Sequence, residues 1–279
     1  MKIMVTGATG QLGYDVCRVL KERNIEYVGL GSKDCDITSF EALEKTFNEI
    51  KPDAVIHCAA YTRVDAAEDD VERCRSINAG GTRNIALMCA RTGAKMLYTS
   101  TDYVFPGDGE KFYEPDDIIG PKSVYGITKL EGELAVKELL QKYFIVRISW
   151  VFGINGNNFI KTMLRLSETH DRLRVVDDQI GSPTYTADLA PLLCDMVETE
   201  KYGVYHATNE GVCSWAELAE EIFRISGKNV TVEHVTTEEY GAKAPRPKNS
   251  RMSKNKLEEN GFKRLPEWKM AVIHFLEYS

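Results

Sequence analysis

The feature that most constrains this chain is a set of glycines at the end of its first apolar run. Ile3-Met4-Val5 has the apolar, β-branched character of a strand and stops at Gly7-Ala8-Thr9-Gly10-Gln11-Leu12-Gly13, with glycines at every third position. Beyond them, residues 12–23 carry Val16, Val19 and Leu20 at helical spacing. A strand that turns through glycines directly into a helix leaves the first helical N–H groups open, at the positive end of the helix dipole. A tight turn, close approach of a diphosphate and close helix-to-strand packing each need a residue without a Cβ. The chain is therefore expected to open on a dinucleotide-binding unit, with Gly7, Gly10, Gln11 and Leu12 around the phosphates.

The pattern after this unit keeps alternating. Tyr27-Val28-Gly29-Leu30 reads as a second strand. Thr38, with Glu41 three residues on, reads as a capping box opening a helix toward Ile50. Ala54-Val55-Ile56-His57 is a third strand. A long helical stretch over 71–92, a strand over 95–100, a helix over 125–143 and a strand over 144–149 follow. Strands separated by helices pair in parallel through right-handed crossovers. The expected fold is α/β: a Rossmann-like, doubly wound parallel sheet with a smaller C-terminal substrate-binding lobe. The division expected is 1–149 for the nucleotide-binding domain, rejoined by 171–203, with 150–279 mostly in an interleaved lobe. In that lobe, helices are expected over 159–169, 188–198 and 215–226, the last opened by Ser214 and Glu217, with short strands at 173–176 and 204–206.

Composition narrows the function classes. Of the 279 residues 43% are apolar and 28% charged, enough for a large core and against disorder. The net charge of -7 argues against a nucleic-acid or polybasic membrane surface. There is no long apolar run and no signal-peptide pattern at Met1-Lys2-Ile3-Met4-Val5, so no membrane association is expected and the location read is cytoplasmic. Seven cysteines, none in a Cys-x-x-Cys pair, point to reduced thiols rather than a disulfide frame or a zinc site.

The chemistry-bearing residues sit where strands end. The second strand closes on Leu30-Gly31-Ser32-Lys33, without the carboxylate that holds the ribose 2′-hydroxyl of NAD. Ser32 and Lys33 suit the extra phosphate of NADP, so NADPH is expected, with NADH as a second cofactor. Asp36 and Ile37 fall where adenine is contacted. Ala59, Ala60 and Tyr61, after the third strand, leave room for a cofactor across the strand ends. His57, just before them, reads as a strand residue rather than a catalyst. Thr101 and Asp102 end the fourth strand. Tyr125 and Lys129, four residues apart, share one helical face. A lysine ammonium near a phenol favours the phenolate and lets it exchange a proton near neutral pH, and a strand-end hydroxyl can donate to the same substrate oxygen.

The glycine loop, Ser100-Thr101-Asp102 and Tyr125-x-x-x-Lys129 resemble the extended short-chain dehydrogenase/reductase superfamily. Longer strings narrow the resemblance. They are Gly10-Gln11-Leu12-Gly13, Ser100-Thr101-Asp102-Tyr103-Val104-Phe105, Arg147-Ile148-Ser149-Trp150-Val151-Phe152-Gly153, Asp178-Gln179-Ile180-Gly181-Ser182-Pro183-Thr184 and Arg246-Pro247-Lys248-Asn249-Ser250-Arg251. Together, over essentially the whole chain, they are similar to the dTDP-4-dehydrorhamnose reductase family. The resemblance implies NADPH-dependent reduction of the 4-keto group of a dTDP-linked deoxysugar, giving dTDP-L-rhamnose for cell-surface polysaccharide. It implies Thr101, Tyr125 and Lys129 as the catalytic set, and substrate contacts from Thr101, Asp102, Tyr103, Trp150, Arg246 and Arg251. Some members bind magnesium through glutamates at a dimer contact. Asp15 and Asp188 stand at the matching places, with shorter side chains, so no metal is expected, while a homodimer stays compatible. The loop after Phe105 departs from the family, with Pro106-Gly107 displacing Asp108. Epimerases and dehydratases of the same superfamily, or a non-catalytic NADP-binding regulatory subunit, are the competing functions. Tyr103, where the dehydratases carry a glutamate after the Thr-Asp pair, weighs against a dehydratase, and the intact catalytic set weighs against a regulatory subunit, while the epimerase alternative stays open.

Overall fold

The computed structural model describes residues 1–278. Five consecutive strands, β1 (Ile3–Thr6), β2 (Tyr27–Leu30), β3 (Ala54–His57), β4 (Lys95–Thr101) and β5 (Tyr143–Ile148), and the later strand Gly203–His206 make one six-stranded sheet. Across the sheet the order is Gly203–His206, β5, β4, β3, β1, β2, and every pairing is parallel. The chain runs from β1 outward to β2, then crosses back to β3 on the other side of β1. That reversal opens a crevice at the carboxyl ends of β1 and β3, where ligands of open α/β sheets bind.

Helices cover both faces. Gln11–Glu22 buries Val16, Val19 and Leu20 beneath the sheet, together with Leu189 and Leu193 of Thr186–Val197. Each such side chain contributes roughly 1.5–3 kcal/mol when fully buried. Phe40–Ile50, Thr82–Thr92 and Val124–Leu139 cover the other face. The expected 71–92 helix is present as Val71–Arg75 and Thr82–Thr92, joined through a π-helical turn at Ser76–Gly81. At this turn Asn78 bonds the Tyr61 backbone through both its amide atoms (2.8 and 3.1 Å) and reaches Thr128 of the Val124–Leu139 helix (3.2 Å). The expected cap at Thr38 sits one residue later. Asp36 takes both the N–H and the hydroxyl of Thr38, and Ser39 caps Phe40–Ile50 by accepting from Ala42 N (3.2 Å). The capping box of Ser214 and Glu217 on Trp215–Ser226 forms as expected.

Beyond β5 the chain alternates between the main sheet and smaller sheets. Arg172–Val176 pairs with Thr231–Val235, and Cys213–Ser214, Ile180–Gly181 and Asn249–Ser250 make a small sheet. Between these segments the chain returns to the main sheet, to place Thr186–Val197 on Gln11–Glu22 and to add Gly203–His206 to β5. A third apolar core joins Trp215–Ser226 with Trp268–Tyr278. No helix among the described residues is long and apolar enough to cross a membrane, and none of the seven cysteines is paired.

Candidate active site

A cleft of about 820 Å³ runs along the carboxyl ends of β1 to β5. Gly7, Gly10, Gln11 and Leu12 form one end, with Ser32, Asp36 and Ile37 beside them. Ala59 and Ala60 line the middle. Thr101, Asp102, Tyr103, Tyr125, Lys129 and Trp150 form the far end. Lys33 is exposed and lies outside the lining. Tyr61 also lies outside it, its backbone held by Asn78. Arg246 lines a smaller cavity of about 230 Å³, which shares Tyr103 and Trp150 with the cleft. Arg251 lines neither, and its guanidinium turns back to Asn249 Oδ1 (3.0 Å).

The glycine end has the form of an anion cradle. Gly7 has φ +71, and a Cβ there would stand 2.7 Å from the Ala59 backbone nitrogen. A side chain at Gly13 would collide with the Gly7 carbonyl. The helix Gln11–Glu22 begins with no side-chain cap and no acidic residue in its first turn, so its leading N–H groups face the cleft without a competitor. At β2 the nearby carboxylates are engaged elsewhere. Asp34 accepts from Gly31 N (2.7 Å), and Asp36 accepts from Thr38.

At the other end, Val124–Leu139 carries Tyr125 and Lys129 against the tip of β4. Ser123 caps this helix through Gly126 N (3.1 Å), and Glu68 accepts from Val124 N (2.9 Å). A side chain at Gly126 would strike the Tyr103 carbonyl, so this glycine lets the helix sit directly on the turn that follows β4. The Lys129 ammonium donates to the Thr99 carbonyl (2.7 Å) and lies 4.1 Å from the centre of the Tyr98 ring. Burial pulls its pKa down to about 7. The sequence suggested that this lysine would lower the phenol's pKa. In the structure burial is the dominant influence on Tyr125 and pushes it above the ordinary tyrosine value, with the Thr101 hydroxyl opposing in part. A phenol held protonated is the form that can donate to a carbonyl oxygen.

Thr101 and Asp102 are both buried. The Thr101 hydroxyl donates to Asp102 Oδ1 (3.0 Å) and accepts from Tyr103 N (3.2 Å). Ser250 donates to the other Asp102 oxygen (2.5 Å). Burial raises the Asp102 pKa to about 6 against these two donors. Thr101 thus spends its proton on Asp102 and must rotate to donate to a substrate oxygen. His57 is fully buried, bonded to Thr6 (2.6 Å) and Thr82 (3.1 Å), and burial lowers its pKa to about 3, so it is a neutral core residue.

Trp150 adopts φ +50, a left-handed conformation that a bulky residue takes only under constraint. Its ring stacks on Trp215, centroids 3.8 Å apart, and both tryptophans line both cavities. Trp215 was not anticipated as a site residue. Its only sequence signal is its place directly after the Ser214 cap, which speaks for a helix start and not for a cleft. Asp15 is buried and accepts from Thr186 and Arg18, and Asp188 accepts from Asn209 (2.7 Å). Both carboxylates are thus engaged within the chain. Among the described residues no cluster of His, Cys, Asp or Glu is arranged to hold a metal.

The family model described as RmlD substrate binding domain matches residues 1–279. The spore coat polysaccharide biosynthesis protein SpsK of Bacillus subtilis (strain 168) is 42% identical over 99% of this chain and 97% of its own. A dTDP-4-dehydrorhamnose reductase of Streptomyces griseus is 40% identical over 96% of this chain and 91% of its own. The crystal structure of dTDP-4-dehydrorhamnose reductase from Bacillus anthracis strain Ames in complex with NADP superposes with a TM-score of 0.97 at 44% identity, covering 100% of this chain and 99% of that one. With these similarities running end to end through the glycine cradle and the Tyr125–Lys129 helix, the chain belongs to the dTDP-4-dehydrorhamnose reductase family.

Proposed function

We propose that this chain reduces the 4-keto group of dTDP-4-dehydro-L-rhamnose with NADPH, giving dTDP-L-rhamnose. The observation that carries the reading is that one continuous cleft holds the glycine cradle at one end and Thr101, Tyr125 and Lys129 at the other. The names of the relatives, and the NADP held by a neighbour of 44% identity, support the same reaction and cofactor.

The residues fit the cofactor. Gly7, Gly10, Gln11 and Leu12 would take its diphosphate, Ser32 and Lys33 its 2′-phosphate, and Asp36 and Ile37 its adenine. Ala59 and Ala60 would floor its central part, and Lys129 would hold the nicotinamide ribose. When bound, the nicotinamide supplies a hydride. Tyr125 donates the proton that the C4 oxygen takes up, and the raised pKa keeps that proton on the phenol until charge develops on the oxygen. Thr101, once rotated from Asp102, supplies a second donor to the same oxygen. Tyr103 and Trp150 border the sugar, and Arg246 faces the substrate diphosphate. In this reading the sheet and its helices, with Thr186–Val197 and Gly203–His206, form the cofactor half, and the remaining segments after Trp150 form the substrate half. Seven unpaired cysteines suit a reducing, cytoplasmic setting.

The test is product analysis. With dTDP-4-dehydro-L-rhamnose and NADPH, the expected result is equimolar loss of NADPH and formation of dTDP-L-rhamnose. With dTDP-glucose and NAD, no keto-sugar is expected, because elimination needs a carboxylic acid at the leaving hydroxyl and Tyr103 stands where the dehydratases carry one. Burial also raises the Tyr103 phenol further, making it a poorer acid. Keto-sugar from dTDP-glucose without NADPH loss in the first mixture overturns the assignment.

The cofactor preference is expected to be modest. Lys33 is exposed, so its attraction for a 2′-phosphate is screened and worth about 1 kcal/mol at most. Lys33→Ala should raise the KM for NADPH by roughly fivefold or less and leave that for NADH unchanged. Equal effects on both, or none, would remove Lys33 from phosphate recognition.

A further inference from the structure

The reading that Arg246 faces the substrate diphosphate leaves open what holds a long side chain of an irregular segment in place. Asp65, 181 residues away in sequence, makes a two-pronged pair with it: Arg246 Nη1 to Oδ1 at 3.0 Å and Nη2 to Oδ2 at 2.6 Å. The same carboxylate accepts from Ala244 N (3.0 Å), and Arg246 Nη1 closes a ring onto the Ala244 carbonyl (3.2 Å). One turn further along, Asp69 pairs with Lys243. The helix Val64–Ala67 and the residues after it therefore grip 243–246 at two points. Glu68 of this stretch also accepts from Val124 N, at the start of the helix bearing Tyr125. Arg246 is only 21% exposed and lines the cavity it shares with Tyr103 and Trp150, whereas Asp65 lines neither cavity.

We propose that Asp65 is a positioning residue for substrate binding: it sets the loop 243–246 and fixes the Arg246 guanidinium in the arrangement that receives the diphosphate of the sugar nucleotide. The inference rests on the function proposed above. Two effects of Asp65 oppose each other. Its negative charge repels a diphosphate, and its bidentate grip removes the freedom that a long, flexible side chain and its loop would otherwise lose on binding. The carboxylate is half exposed and already paired, so the repulsion is screened and the ordering effect prevails. Asp65→Asn should then weaken binding even though it removes a negative charge.

The experiment measures dTDP binding by calorimetry, and steady-state kinetics, for wild type, Asp65→Asn, Arg246→Ala and the double variant, with NADPH binding as the check on folding. Asp65→Asn is expected to weaken dTDP binding and raise the sugar-nucleotide KM by about tenfold, with kcat within about twofold and NADPH affinity unchanged. Arg246→Ala should weaken dTDP at least as much, and the double variant no further, because both changes remove one device. Additive losses, equal or tighter dTDP binding by Asp65→Asn, normal dTDP binding by Arg246→Ala, or a parallel loss of NADPH affinity overturn the proposal. Binding of dTDP needs no turnover, so a wild type that binds it but reduces no keto-sugar would sink the proposed reaction while leaving the role of Asp65 separately decided.

Discussion

Tyr125→Phe should lose about a hundred- to ten-thousand-fold in keto-sugar reduction, the usual range for removing a positioned general acid. NADPH binding should be nearly unaltered. The phenyl ring keeps the packing of the tyrosine, including the edge-on contact with Tyr103 at 5.4 Å between centroids. What the substitution removes is one hydroxyl, held protonated by burial and facing Thr101. Lys129 is not expected to substitute for it, because its ammonium is anchored on the Thr99 carbonyl at 2.7 Å and its remaining donors are those that would hold the nicotinamide ribose. Asp102, although its pKa is near 6, has both oxygens engaged by Thr101 and Ser250. The checking measurement is single-turnover NADPH oxidation beside a fluorescence titration of the cofactor. Turnover like wild type in the pure variant would remove Tyr125 from its role, and a parallel loss of cofactor affinity would show that the ring, and not the proton, had been disturbed.

The parts of this molecule that could be read from the sequence are those whose physics is local. A glycine cradle is a contiguous string, and its strand and helix flank it directly. Tyr125 and Lys129 meet because one helical turn brings them together. Parallel order follows from alternation. The helix-cap error shows the limit of local reading. Thr38 and Ser39 are both capping residue types, Ser the better of the two, and in the fold Asp36 takes the Thr38 N–H and hydroxyl while Ser39 caps the helix. The π-turn at Ser76–Gly81 left no periodicity signal, although it places Asn78 between the Tyr61 backbone and the catalytic helix. Trp215 and Asp65 were out of reach for a different reason. Each acquires its role from a partner far along the chain, Trp150 and Arg246 respectively. Arg251 illustrates the converse. It sits in a string shared with the family, yet it turns back on Asn249 instead of reaching a cavity.

Glu133→Gln should be strongly destabilising, and it should also move the pH profile. Glu133 and Arg147 are both fully buried and joined by two bonds, 2.9 and 2.8 Å, while Arg147 also donates to the Pro115 carbonyl (3.0 Å) and lies over the Phe105 ring. Removing the charge of one partner leaves the guanidinium buried without its counterion, a change that costs about 3–5 kcal/mol. For a chain of this size that corresponds to a fall in Tm of roughly 10 °C. Replacing both partners with methionine should cost less than the single change, since no uncompensated charge then remains. Glu133 also stands one helical turn after Lys129 and is the largest influence holding that lysine's pKa up against burial. Without its charge the Lys129 ammonium is lost at lower pH, so the alkaline limb of turnover, which depends on the ammonium, should shift downward from its position near the present pKa of about 7. Thermal melting of the single and double variants, with pH–rate profiles of the single variant taken well below its Tm, checks both parts. A Glu133→Gln protein that melts like wild type would show that the pair is no anchor for the catalytic helix, and an unmoved alkaline limb would show that Lys129 does not govern it.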